Sequence, residues 1–174
     1  MGKAIEDVIK RIRDAKRIRI KAGVLGGAKY LDGKSVADVA AYQEYGTSTI
    51  PARPFLRTTL ANNSDDWAAG MGKMLGQYLA GKRDLDDVCN RMGAAMQDGI
   101  LETIDSDMPP PNSEATRKRK LERLYDPEGE GTREQQIAAG AHTITTLKDS
   151  GLMRDSVSYD YDIGQGNTRF LGDD

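Results

Sequence analysis

The chain has 174 residues, which suits one domain or one domain with a long arm. Charged residues make up 30% and hydrophobic ones 38%. Mean hydropathy is -0.61, a polar balance that fits a small core with extended or interface-forming segments. The net charge of -2 argues against a general nucleic-acid binder, and a single cysteine, Cys89, excludes an intramolecular disulfide.

The N-terminus, Met1-Gly2-Lys3-Ala4-Ile5-Glu6, lacks a secretory hydrophobic core, and no stretch is apolar for long enough to cross a bilayer. The expectation is a chain made and folded in a cytoplasm, with no membrane partner. Ala4, Ile5, Val8, Ile9 and Ile12 recur at helical spacing and predict an amphipathic helix over Lys3–Ala15. Ile18, Ile20, Ala22 and Val24 then alternate with Arg17, Arg19, Lys21 and Gly23, a half-buried strand with a basic outer face. Gly26-Gly27 ends it, and Tyr30-Leu31-Asp32-Gly33 reads as a loop or hairpin tip.

Ser35 is placed to cap a helix through Val36, Val39, Ala40 and Tyr42. That helix stops at Gly46, a residue able to take the positive φ that ends helices. After Thr47-Ser48-Thr49, Pro51 and Pro54 bracket Arg53 and stiffen the loop, and Pro54 suits the first turn of the next helix. The loop presents Arg53, with Phe55 and Leu56 as its anchor. Phe55–Leu60 reads as a short helix punctuated by Asn62-Asn63-Ser64. A further helix carries Trp67, Met71, Met74, Leu75, Tyr78 and Leu79 on one core-facing stripe. Gly81-Lys82-Arg83 breaks it, and Asp84 opens a long helix whose stripe is Leu85, Val88, Cys89, Met92, Met96, Ile100 and Ile104.

Met108-Pro109-Pro110-Pro111 stops that helix. The polar stretch after it holds a basic helix start at 113–120, a turn-rich acidic linker at 126–131 and a weak helix at 132–141. Polar segments this long are usually functional or disordered. Leu147–Ser156 leads into a second alternating strand. Val157, Tyr159, Tyr161 and Ile163 face one way, and Ser158, Asp160 and Asp162 face the other. Its acidic face should pair antiparallel with the basic face of the first strand, at about 0.2–1 kcal/mol per pair. The expected fold is therefore α+β. A small antiparallel sheet packs against several helices in a single domain (1–174), with a polar insertion arm at 109–146 and a flexible tail at 165–174.

Catalytic groupings are scarce. His142 is the only histidine and lies in a polar stretch, and Cys89 sits on an apolar stripe, where a thiol is inert. One histidine and one cysteine do not make a zinc site. Asp84, Asp86 and Asp87 suit a helix N-terminus. No phosphate-binding glycine loop is present, and Asp126–Glu130 lacks the ligand spacing of a calcium loop. The expectation is no enzyme, no cofactor and no metal. Arg17, Arg19, Lys21 and 117–120 could touch nucleic acid, against the plainer reading of a solvated face or charge pairing between subunits.

Glu44-Tyr45-Gly46-Thr47 followed by Ile50-Pro51-Ala52-Arg53-Pro54-Phe55-Leu56-Arg57 resembles the signature of neck or tail-completion proteins of long-tailed bacteriophages, a group similar to phage virion morphogenesis proteins. The later pieces also resemble it: a proline-rich break, a polar stretch, and Leu147–Ser156 entering the last strand. Here Ser150-Gly151-Leu152 stands where the family usually has Thr-Gly-Leu, and the stretch from Pro111 to Leu147 is unusually long and polar. The resemblance implies a structural virion protein forming a ring at the head–tail junction. Such a protein is assembled in the host cytoplasm and joins the head connector to the tail while DNA passes transiently through its channel. It implies a hexamer, with a dodecamer as alternative, and as partners a portal-side adaptor or head-closure protein and a tail terminator or tail tube. Arg53, Arg57 and Phe55 become candidate inter-subunit contacts, with Gly46, Pro51 and Pro54 shaping the loop. The alternatives are a tail terminator capping the tail tube, or a small nucleic-acid-binding module using the first strand.

Overall fold

The computed structural model describes residues 2–140 and 145–164, together with the backbone of residues 168–170. The elements are α1 (Gly2–Ala15), β1 (Arg19–Val24), α2 (Val36–Tyr45), α3 (Phe55–Leu79), α4 (Leu85–Asp105), α5 (Glu114–Glu122), α6 (Arg133–Gly140), α7 (Leu152–Asp155), β2 (Val157–Asp162) and β3 (Thr168–Phe170). The fold is α+β, and no described helix is long and apolar enough to cross a membrane.

The sheet forms as its charge pattern requires. β1 and β2 run antiparallel, with Arg19 opposite Asp162 and Lys21 opposite Asp160, so the basic and acidic rows share the outer face. Ile20 opposite Tyr161, Ala22 opposite Tyr159 and Val24 opposite Val157 make the inner face, which packs on α4. β3 adds antiparallel to β2 in the order β1-β2-β3. Part of the expected flexible tail is thus a strand. Residues 165–167 and 171–174 lie outside those described, as does His142.

α4 is the central helix, and its apolar stripe faces the core. Leu85, Val88, Cys89, Met92, Ile100 and Ile104 are buried, and Met96 is half-buried. Near its start, Leu85 and Cys89 pack with Tyr161 and Ile163. Near its end, Ile100 and Ile104 join Val36, Phe55, Met153 and Val157. Gly93 allows the close contact with the sheet, because a Cβ there would lie 2.1 Å from the Tyr159 ring. Burial pushes the Cys89 thiol up to about 11.

α3 corrects the sequence reading. The two helices expected on either side of Asn62-Asn63-Ser64 are one helix of 25 residues. Polar residues with low helix propensity are carried through by packing on α4, since propensity is a weak prior beside tertiary contact. Asn63 donates its Nδ2–H back to the Thr59 carbonyl at 2.9 Å, and Gly99 of α4 lies against Thr59, Trp67 and Asn63. Beyond Thr59 the stripe from Trp67 to Leu79 is only half-buried, short of the full core placement expected for it. α1 forms as the periodicity expects, and none of its residues is buried.

The polar stretch forms α5 and α6, neither with a buried residue. α5 folds back on its own chain. Lys120 donates from Nζ to the carbonyl oxygens of Thr145 and Lys148, and Arg123 pairs with Asp149 at 2.6 Å.

Candidate functional site

The run from Glu44 to Arg57 makes a tight corner between α2 and α3. Ser35 opens α2 as expected, its hydroxyl accepting from the Asp38 N–H at 3.3 Å. Gly46 closes α2 with φ 75° and ψ 171°, and its N–H reaches the Tyr42 carbonyl. A Cβ at Gly46 would sit 2.9 Å from the Ala52 nitrogen, so the residue meets both a positive φ and a close backbone. Thr47 orders the next turn. Its hydroxyl accepts from the N–H groups of Thr49 and Ile50, and its own N–H donates to the Ile50 carbonyl. Pro51 leads into an extended return that brings the Arg53 N–H to the Gln43 carbonyl at 2.6 Å. Pro54, at φ -75° and ψ 66°, holds an inverse γ-turn, closed by the Phe55 N–H on the Arg53 carbonyl at 2.8 Å.

Pro54 occupies the N-cap position of α3, and no side-chain cap bond forms there. Glu44 takes over that work. It is 2% exposed, and its carboxylate accepts from the Leu56 N–H at 2.8 Å and the Arg57 N–H at 3.3 Å. An anion at this place satisfies orphan amide donors and matches the positive end of the helix dipole. Arg57 completes the arrangement. Its Nε donates to Glu44 Oε1 at 2.8 Å, its Nη2 donates to the Glu44 carbonyl, and its guanidinium lies 5.2 Å from the Tyr45 ring centre. Glu44 is the residue that sequence reasoning missed. Its spacing ahead of the Pro54-Phe55-Leu56-Arg57 helix start was the available signal.

Arg53 corrects an expectation. It is 4% exposed and faces its own chain, donating from Nε to the Pro110 carbonyl at 2.8 Å, from Nη2 to the Pro111 carbonyl at 3.3 Å and from Nη1 to Gln43 Oε1 at 3.1 Å. The loop closes over the arginine because the proline-rich break after α4 supplies carbonyl acceptors that no secondary structure uses. Burial pulls the Arg53 pKa below its ordinary value, and Asp107 opposes that shift. Phe55 is likewise fully buried in the core with Val36, Ile100 and Ile104. Neither side chain is presented to a neighbour. Arg57, with a side chain 60% exposed, is the one candidate contact residue of the three that stays at the surface. Gly46 and Pro54 shape the corner through the backbone angles given above, and Pro51 precedes its extended return.

A cavity of about 190 Å³ opens beside the corner, between α5 and the segment before α7. Its cations are engaged: Arg119 with the Thr116 hydroxyl at 3.4 Å, Lys120 with two carbonyls, Arg123 with Asp149, and Lys148 with Asp105 at 2.6 Å. On the sheet, the acidic row of β2 stands beside Arg19 and Lys21 and offsets their positive field. Among the described residues, no three His, Cys, Asp or Glu side chains gather so that they could hold a metal ion. The chemistry available at the corner is recognition by charge and ring faces: an exposed guanidinium, Tyr45 beside it, and Tyr42 one turn back along α2. No family model, curated protein or solved structure matches the chain.

Proposed function

We propose that this chain is a structural subunit of a tailed bacteriophage, assembling into a ring at the head–tail junction and working by binding without turnover. The observation that carries the reading is the order of residues from Glu44 to Arg57, which resembles the neck and tail-completion signature. The corner gives that order a physical reason. Glu44 caps α3, Gly46 admits the Ala52 backbone, Arg53 clasps the proline break and Phe55 enters the core. A second support is the open apolar face of α1, the kind of surface that soluble chains cover by association. In the ring, Arg57 and Tyr45 lie at the subunit boundary, DNA passes through the channel, and the head connector and tail lie on opposite sides.

Sedimentation velocity and negative-stain imaging of the purified chain test the reading. Closed rings with a central channel, and DNA affinity too weak to give a steep salt dependence, are the expected result. A monomer that binds duplex DNA with a steep salt slope would overturn it in favour of a nucleic-acid module.

A further inference from the structure

α1 is strongly amphipathic, yet Ile5 is 59%, Val8 43%, Ile9 42% and Ile12 40% exposed. A 14-residue helix is marginal alone and normally gains its stability by packing its apolar stripe. Here α1 is tied down from another side. Arg11 donates from Nη1 to the carbonyls of Tyr78 at 3.4 Å and Leu79 at 3.1 Å, at the C-terminal end of α3, where a cation suits the helix dipole. The apolar stripe stays partly exposed beside that anchor.

A second open apolar patch lies at the other end of α3. Tyr42 is 46%, Tyr45 72% and Leu60 57% exposed, and Arg57 joins them by lying over the Tyr45 ring. Leu60 and the Tyr78 anchor of α1 are about 27 Å apart along α3, at 1.5 Å per residue. The two patches differ in charge. Between Gly2 and Arg17 there are six lysines and arginines against three carboxylates, with Arg13, Lys16 and Arg17 all exposed. On α2 and the first half of α3 the exposed carboxylates are Asp38, Asp65 and Asp66, while Arg57 is already paired with Glu44 and the nearby Lys34 with Asp32.

We propose that the α1 stripe of one copy docks on the Tyr42–Tyr45–Leu60 surface of a second copy, head to tail. The apolar faces cover each other, and the basic flank of α1 meets the acidic flank of the other patch. Two different surfaces at opposite ends of one molecule make a heterologous contact, the kind that closes into rings or runs on as filaments. Charge complementarity sets the orientation and separates this pairing from α1 against α1, where like charges would meet. The inference rests on the ring reading and names the surfaces that such a ring would use.

The test uses two substitutions at exposed positions, Ile9→Asp and Leu60→Asp, with circular dichroism confirming the fold of each. Each variant alone is expected to sediment as a monomer where the unchanged chain forms oligomers. Mixed in equal amounts, they are expected to give a dimer and nothing larger, because each keeps one intact surface. Oligomers that survive Leu60→Asp but not Ile9→Asp would overturn the pairing in favour of α1 against itself. Binding of the unchanged chain to vesicles of phosphatidylcholine and phosphatidylglycerol, lost in Ile9→Asp, would overturn it in favour of a lipid surface. Rings unaffected by both substitutions would overturn this interface and leave the ring reading standing. Open filaments abolished by either variant would support the interface and sink the ring.

Discussion

The two ends of α3 solve the same problem in different ways. At the N-terminal end, orphan N–H groups meet the carboxylate of Glu44. At the C-terminal end, carbonyl oxygens meet the guanidinium of Arg11. Each charge has the sign that the helix dipole favours. The surroundings differ. Glu44 is enclosed by Gly46, Arg57 and the start of α3, and Arg53 next to it is locked onto the proline break. Arg11 instead holds a helix with no buried residue. At the first end the charged groups are satisfied within one chain beside exposed Tyr45 and Leu60, while at the second a polar clamp holds a helix whose apolar stripe is exposed. Within the most specific stretch, Glu44, Arg53 and Phe55 therefore serve the fold, and the exposed surface lies on Tyr45, Arg57 and the ordinary-looking helix α1.

Arg53 and Arg57 break this contrast most sharply, because they differ by four positions and sit on opposite sides of the buried boundary. Arg53→Ala should lower unfolding free energy by about 2–4 kcal/mol, since it strands two proline carbonyls and the Gln43 amide in a closed site. Arg57→Ala should cost less, about 1–2 kcal/mol, because its own side chain is 60% exposed and the buried Glu44 carboxylate it leaves keeps two backbone donors. Urea titration of both variants checks this. Equal losses would show that Arg53 is no more enclosed than Arg57.

Glu44→Ala tests the locked end directly. Removing a buried acceptor that serves two backbone donors and one guanidinium should cost about 2 kcal/mol, and Glu44→Gln, which keeps an acceptor, should cost about half of that. Thermal or urea midpoints read the difference. If the glutamine variant is as weak as the alanine variant, charge matters more than the accepted bonds.

These effects show what the sequence could carry. Local chemistry was legible: Ser35 as a cap, the α4 stripe, and the facing of Arg19 and Lys21 by Asp162 and Asp160, because each depends on neighbours or on strict periodicity. The role of Arg53 was hidden because its acceptors, Pro110 and Pro111, lie 57 and 58 residues away, and a lone carbonyl has no sequence signature. The continuity of α3 was hidden for a related reason. Asn62-Asn63-Ser64 punctuates by propensity, and only the groove beside Gly99 reverses that. Periodicity found the apolar stripe of α1, but it cannot say whether anything covers the stripe.

At the open end, Arg11→Ala removes the clamp without touching a buried group. Global stability should fall by no more than about 1 kcal/mol, because the bonds end on half-buried carbonyls at a helix terminus. Local protection should change more. Amide exchange along Gly2–Ala15 should speed up severalfold, while α4 stays protected. Uniform acceleration through α4 would show that α1 is part of the global folding unit.

The smallest effect concerns a carboxylate intermediate between these extremes. Asp105, near the end of α4, receives Arg154 through two N–H donors, each at 3.0 Å, and Lys148 at 2.6 Å, with its side chain 34% exposed. The Arg154 hydrogen bond, helped by Lys148, holds its carboxyl below the usual range. A depressed folded pKa gives stability that is fully present above the unfolded value of about 3.9 and is lost as pH falls through the folded value. Asp105→Asn should therefore cost below about 1 kcal/mol at neutral pH, and the deficit should shrink below about pH 4 as the wild-type carboxylate is protonated. Urea midpoints of the two proteins taken across the acid range should converge there. A constant gap down to the lowest pH would mean that Asp105 acts through the shape of its side chain, since neither the asparagine nor the protonated acid carries the charge.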